Sequence, residues 1–174
     1  ANDKNLEINE DIYFEVVNAK TASLFSAASQ VGAISANASN AEINALKSFG
    51  TNFGMTFQLV DDAIDYSSNK KILGKNTGDD FKEGKITLPI ILAYGRSNDI
   101  EKQFWKRTIS NLEQENGDFD KALEIINKYQ CIEDTIKRAN HFSNVAIDSI
   151  DLFKDNQFKK KLVSLVSTSI SRIY

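Results

Sequence analysis

The chain has 174 residues, 41% of them hydrophobic, which is enough for one domain with a real core. Its formal charge of −3 gives no broad positive field, so composition supports neither a nucleic-acid partner nor an anionic membrane. The single cysteine, Cys131, can close no internal disulfide and reads as a small buried apolar residue in a reducing, cytoplasmic setting, and no apolar run approaches the length of a membrane span.

One proline, eight glycines and apolar residues recurring at three- and four-residue spacing predict an all-α chain. Asn9 followed by Glu10 and Asp11 reads as a helix start, with helix running through Tyr13, Val16 and Val17 and, after a break, from Leu24 to about Ala36. A long helix is expected from about Ala41 to Tyr66. The glycines Gly74, Gly78 and Gly84, among lysines and aspartates, mark residues 67–84 as the longest candidate loop. Thr87 to Pro89 opens the next helix, where proline is tolerated in the first turn. Beyond Gly95 four amphipathic helices are expected, over about 99–116, 118–129, 132–153 and 156–174, joined by short polar connections suited to antiparallel neighbours.

The stretch QLVDDAIDY at residues 58–66 carries the chemistry. At about 100° per residue, Gln58, Asp61, Asp62 and Asp65 fall within an arc of about 100°, while Phe53, Phe57, Leu59, Val60, Ala63 and Ile64 line the other face. Like charges near a helix C-terminus repel one another and oppose the macrodipole, so a positive partner is required. Nearby lysine side chains can meet that need, and so can Mg²⁺, which takes one or two protein oxygens and completes its shell with water and substrate phosphate. Alone, such a pattern is more often a solvated acidic face. The glycine-rich loop that follows, with Lys70, Lys71, Lys75, Lys82 and Lys85, and the upstream Lys20–Thr21 pair add the cations a metal diphosphate requires.

Together, KTASLF at residues 20–25, FQLVDDAIDY at 57–66 and GKNTGDDFKEGKITLP at 74–89 resemble the trans-isoprenyl diphosphate synthases, and the resemblance runs the length of the chain. It implies the helical bundle of that family and a head-to-tail condensation of isopentenyl diphosphate with an allylic diphosphate. It further implies that Asp61, Asp62 and Asp65 form the second aspartate-rich motif and hold Mg²⁺, with Asp61 and Asp65 the closer contacts. Lys20, Lys75 and Lys85 would grip diphosphate, Thr21 and Gln58 would stand beside the reacting carbons, and Lys20, Thr21 and Gln58 are the catalytic candidates. Asp79 and Asp80 are expected to shape the loop, His141 to be structural and Trp105 to be a buried aromatic.

FWKRTI at 104–109 and EDTIKRA at 133–139 resemble the long-chain members that make quinone side chains, octaprenyl to decaprenyl. The family's other aspartate-rich motif and its basic isopentenyl-binding segment are not in this sequence. The 174 residues are therefore expected to be the C-terminal part of a single synthase domain, without turnover alone, the intact protein being a homodimer with no stable membrane insertion. Three other readings stand beside this one: a non-catalytic subunit of a heteromeric synthase, a class I terpene cyclase, and a plain helical interaction module indifferent to magnesium and diphosphate.

Overall fold

A computed structural model describes residues 6–67 and 77–172, and all regular structure among them is helical. The first helical run comprises α1 (Glu10–Val17), a π-helical turn (Asn18–Ala22) and α2 (Ser23–Ser35). Asn9 starts it, its Oδ1 accepting the Ile12 N–H at 2.9 Å. The expected break before Leu24 is this π turn; the chain stays helical and gains one residue in a turn. The long helix α3 spans Asn40–Asp65. Within the candidate loop lies a short helix, α4 (Asp79–Glu83). Then follow α5 (Leu88–Arg96), α6 (Asp99–Trp105) with a second π turn (Lys106–Ser110), α7 (Asp118–Lys128), α8 (Cys131–Ser149) and α9 (Gln157–Ser171).

The helix expected to reach Asn116 ends at Ser110, because Leu112 takes a positive φ of 57° and the following loop is tied down by side chains. Gln114 Nε2 donates to the Phe81 and Thr108 carbonyls at 2.8 and 2.9 Å, and Arg107 makes a two-pronged bond to Asp118 at 2.9 and 2.7 Å. α8 likewise stops at Ser149 rather than Phe153, and Asn156 caps α9 by accepting from the N–H groups of Phe158 and Lys159.

The described residues divide into two compact units: 6–13, 61–67 and 77–136, and 14–60 and 137–172. In the first, α5 is buried from Leu88 to Tyr94, a helix apolar all round and therefore central. Its core also takes in Phe81, Ile109, Ile125, Ile126 and Cys131. Burial raises the Cys131 thiol pKa to about 11, which suits a packing role. Trp105 is fully buried, and its indole N–H donates to Ser97 Oγ at 3.0 Å, which in turn donates to the Ala93 carbonyl at 2.7 Å. A capping box pairs Asn98 with Glu101 at the start of α6, both bonds 3.0 Å.

In the second unit Phe49, Ala146, Ile150 and Val166 form a core on α3, α8 and α9. α2 approaches α3 closely through two glycines one turn apart. A Cβ on Gly50 would stand 2.5 Å from the Phe25 carbonyl oxygen, and one on Gly54 would stand 2.6 Å from Ala22 Cα. Beside that seam Phe25 packs against Phe53 and Phe57, with ring centroids 5.3 and 5.6 Å apart. The opposite side of α2 carries exposed Leu24, Val31 and Ile34 with exposed Ala27 and Ala28, and residues 21–41 contain no charge. His141 is exposed and meets Phe142 edge-on.

Candidate functional site

The seam in the second unit sets up the first group of expected site residues. Gly50, Gly54 and Gln58 follow one another at four-residue spacing on α3, so the face that admits Phe25 and Ala22 so closely continues into Gln58. There the Thr21 hydroxyl, on the π turn, donates to Gln58 Oε1 at 2.9 Å. The two oxygen-bearing side chains expected beside the reacting carbons are thus in contact, both half-buried and next to the phenylalanine cluster. Lys20 is exposed on the same π turn.

The acids belong to the first unit, and tertiary structure divides what the helical arc had grouped. Asp61 and Asp65, about 40° apart around α3, are half-buried. Asp62, at the far edge of the arc, is 4% exposed and accepts a 2.6 Å hydrogen bond from the phenol of Tyr13, itself 6% exposed. At that length the bond is charge-assisted, the form in which a buried carboxylate is tolerated. Burial first, then the Asp62 charge and its hydrogen bond, then the Asp80 charge hold the Tyr13 phenol well above its usual pKa, so it remains a donor. Asp62 is therefore turned into the protein, while Asp61 and Asp65, expected to be the closer metal contacts, occupy the more open part of the arc.

Asp65 also engages α4. Its Oδ1 accepts the Asp79 N–H at 3.3 Å and its Oδ2 the Asp80 N–H at 3.1 Å, while its carbonyl accepts the Gly78 N–H at 2.9 Å. α4 is held from behind as well. Buried Phe81 packs on Phe119 at 5.6 Å, Gly78 turns at φ 86° beneath that ring, and Gly84 closes the helix at φ 65°. Asp79 and Asp80, expected to shape the loop, start this helix and pair with Lys82 at 3.2 Å and Lys85 at 2.9 Å. Lys85 also meets Glu83 at 2.7 Å, and the Glu83 and Asp80 carboxylates hold its ammonium above its ordinary pKa. To grip a diphosphate Lys85 exchanges one anion for another. Lys75, with Lys70 and Lys71, lies outside the described residues.

Burial, followed by the nearby Asp80 charge, raises the Asp65 pKa to about 6 against the backbone donors that lower it. An acid so crowded gains from a cation. Among the described residues no three histidine, cysteine or acidic side chains close a cage around a metal. The donor set fits Mg²⁺ nonetheless: hard carboxylate oxygens, one or two per ion, with room left for water and phosphate. Beneath these acids Tyr66 and Thr87 are buried, and neither hydroxyl has a well-formed hydrogen bond among the described residues. Burial above all keeps the Tyr66 phenol protonated, the carboxylates of Asp65, Asp80 and Asp62 adding to the effect and the Thr87 hydroxyl opposing it. Tyr13, Tyr66 and Thr87 carried no sequence signal beyond that of core residues.

The family model described as polyprenyl synthetase matches residues 1–126. The octaprenyl diphosphate synthase of Haemophilus influenzae is 36% identical over 168 residues, covering 97% of this chain and 51% of that protein. Among solved structures, the decaprenyl diphosphate synthase of Rhodobacter capsulatus superposes with a TM-score of 0.92 at 37% identity, covering 98% of this chain and 53% of that one. A polyprenyl synthase of Caulobacter crescentus CB15, complexed with calcium and isoprenyl diphosphate, gives 0.93 at 40% identity, covering 99% and 52%. This chain spans about half the length of the curated relatives it matches.

Proposed function

The chain belongs to the polyprenyl synthetase family, and from that premise we propose that it supplies part of the active site of a trans-polyprenyl diphosphate synthase. The reaction joins isopentenyl diphosphate to an allylic diphosphate: the allylic C–O bond breaks, the isopentenyl double bond attacks the cation, a proton leaves and diphosphate is released. The product is a long-chain, all-trans polyprenyl diphosphate for quinone side chains, made in the cytoplasm by a homodimer. The relatives named for octaprenyl and decaprenyl synthesis support the long-chain assignment.

The observation that carries this reading is the crowded acidic face: half-buried Asp61 and Asp65 close together around α3, with Asp65 pushed to about 6 by burial and Asp80. Asp61 and Asp65 would hold Mg²⁺, with Asp62 in support. When bound, magnesium supplies Lewis-acid neutralisation of diphosphate charge. Lys20, Lys75 and Lys85 hold the diphosphate, and Lys85 leaves Asp80 or Glu83 to do so. The Thr21 and Gln58 oxygens, locked at 2.9 Å, present fixed dipoles to the allylic cation, where preorganised polarity is worth more than in water. Phe25, Phe53 and Phe57 keep that surface apolar, which protects a cation from water.

Because the chain spans about half the length of its relatives, binding rather than turnover is the property to measure on the 174 residues. Calorimetric titration with an unreactive allylic thiodiphosphate should show binding that requires magnesium and falls more than about tenfold in Asp61→Asn. Binding indifferent to magnesium and to this substitution would leave a helical interaction module as the better reading.

A further inference from the structure

The bond between Tyr13 and Asp62 joins residues 49 positions apart, both nine-tenths buried, and ties α1 to the last turn of α3. That turn is the part of α3 with most reason to unwind. It carries Asp61, Asp62 and Asp65 against the negative end of the helix dipole, and the Asp80 charge adds to the crowding at Asp65. Packing of Ala63 and Ile64 places its apolar side, and the N–H groups of Asp79 and Asp80 hold the Asp65 carboxylate at its outer side. The short bond to Tyr13 holds the inner edge of the arc at Asp62, and with the Asp65 contacts it limits the rotation of the turn that carries Asp61.

We propose that Tyr13 is a positioning residue: its phenol anchors Asp62 as an internal strut rather than a metal ligand, and so holds Asp61 and Asp65 in register for a divalent cation and diphosphate. The inference rests on the reading of the acidic face given above. It gives a structural cause for the closer cation contact expected of Asp61 and Asp65, with orientation falling to Asp62. Partners that orient ligands typically alter metal affinity by about 10- to 100-fold when removed.

The test is calorimetric titration of magnesium with inorganic pyrophosphate into the wild-type chain, Tyr13→Phe, Asp62→Asn, their double variant, Asp61→Asn and Ser97→Ala. Tyr13→Phe keeps the ring that fills the core and removes only the hydroxyl. The expected result is an affinity loss of about tenfold in Tyr13→Phe, with the double variant losing less than the sum of the singles, since removing the donor and replacing the carboxylate by an amide act on the same bond. Asp61→Asn should lose more than Asp62→Asn. Ser97→Ala, which destabilises the same unit away from the acids, should bind as the wild type, separating orientation from general loss of stability. Wild-type affinity in Tyr13→Phe, or losses that simply add in the double variant, would overturn the assignment. So would an Asp62→Asn loss equal to that of Asp61→Asn. Absence of magnesium-dependent pyrophosphate binding in the wild type would remove the reading of the acidic face itself, and this inference with it.

Discussion

Two glycines on neighbouring helices should respond to the same substitution in opposite directions. Gly32 lies exposed on α2, and a Cβ there meets nothing within 4 Å, so Gly32→Ala should stabilise the chain by about 0.8–1 kcal/mol through helix propensity. A Cβ on Gly54 would stand 2.6 Å from Ala22 Cα, 3.0 Å from Ala22 Cβ and 3.1 Å from Phe25 Cδ2. The nearest of these is backbone and cannot rotate away, so α2 and α3 must separate. Overpacking of this kind costs about 1–3 kcal/mol, which offsets or exceeds the propensity gain and leaves Gly54→Ala up to about 2 kcal/mol less stable. For a chain of this size each kcal/mol moves Tm by about 2–4 °C, so the two variants should melt several degrees apart on either side of the wild type. The same separation draws Thr21 from Gln58, whose 2.9 Å bond lies one turn further along α3, so allylic thiodiphosphate affinity should fall in Gly54→Ala alone. Thermal melts followed by circular dichroism, with calorimetry beside them, decide the matter. A Gly54→Ala chain that melts at or above Gly32→Ala would refute the close-approach argument.

Asp65 gives a pH signature. With its pKa near 6 in the fold and 3.8 in the open chain, the native state holds the extra proton between those values, so this group removes stability as pH rises through that window. Asp65→Asn, which does not titrate, should therefore flatten the fall in stability that the metal-free wild type shows between about pH 4 and 7, read by thermal melts at each pH. Magnesium affinity should rise about tenfold between pH 5 and 7 in the wild type, as proton competition fades, and stay flatter in Asp65→Asn, read by calorimetry at each pH. Gly84→Ala should lower Tm, because the left-handed φ of 65° is strained for alanine, by about 1–2 kcal/mol, and the added Cβ meets the Ile109 carbonyl oxygen at 2.8 Å and the Leu112 side chain. Ser97→Ala should cost about 1–3 kcal/mol in denaturant unfolding, since it strips the buried Trp105 indole of its acceptor.

Much of this was legible in the order of residues. The helical period runs through nearly the whole chain, Asn9 and Pro89 mark helix starts where α1 and α5 begin, and the spacing of Gln58, Asp61, Asp62 and Asp65 puts them on one arc of α3. Trp105 and Cys131 are buried as their apolar surroundings suggested. What was missed has physical causes. α4 is only five residues long and sits among lysines, aspartates and glycines whose local preference is for a turn; it forms because Asp65, Phe119 and Gln114 hold it from elsewhere in the chain. The π turn at Lys20 and Thr21 was legible only as a break before Leu24; that the chain stays helical through it, with one added residue, is seen only in the fold.

The deepest division lies within the acidic motif. Helical spacing is local, repeating every few residues, so it places four polar side chains on one arc regardless of what surrounds the helix. It gives them equal standing. Burial and hydrogen bonding are decided by whichever distant segment packs against each edge. Tyr13, 49 residues away, draws Asp62 inward, Asp79 and Asp80 crowd Asp65, and Thr21 claims Gln58 across a seam opened by Gly50 and Gly54. Those contacts join positions whose separation no short-range pattern spans, so the different tasks of the acids emerge only once the chain has folded.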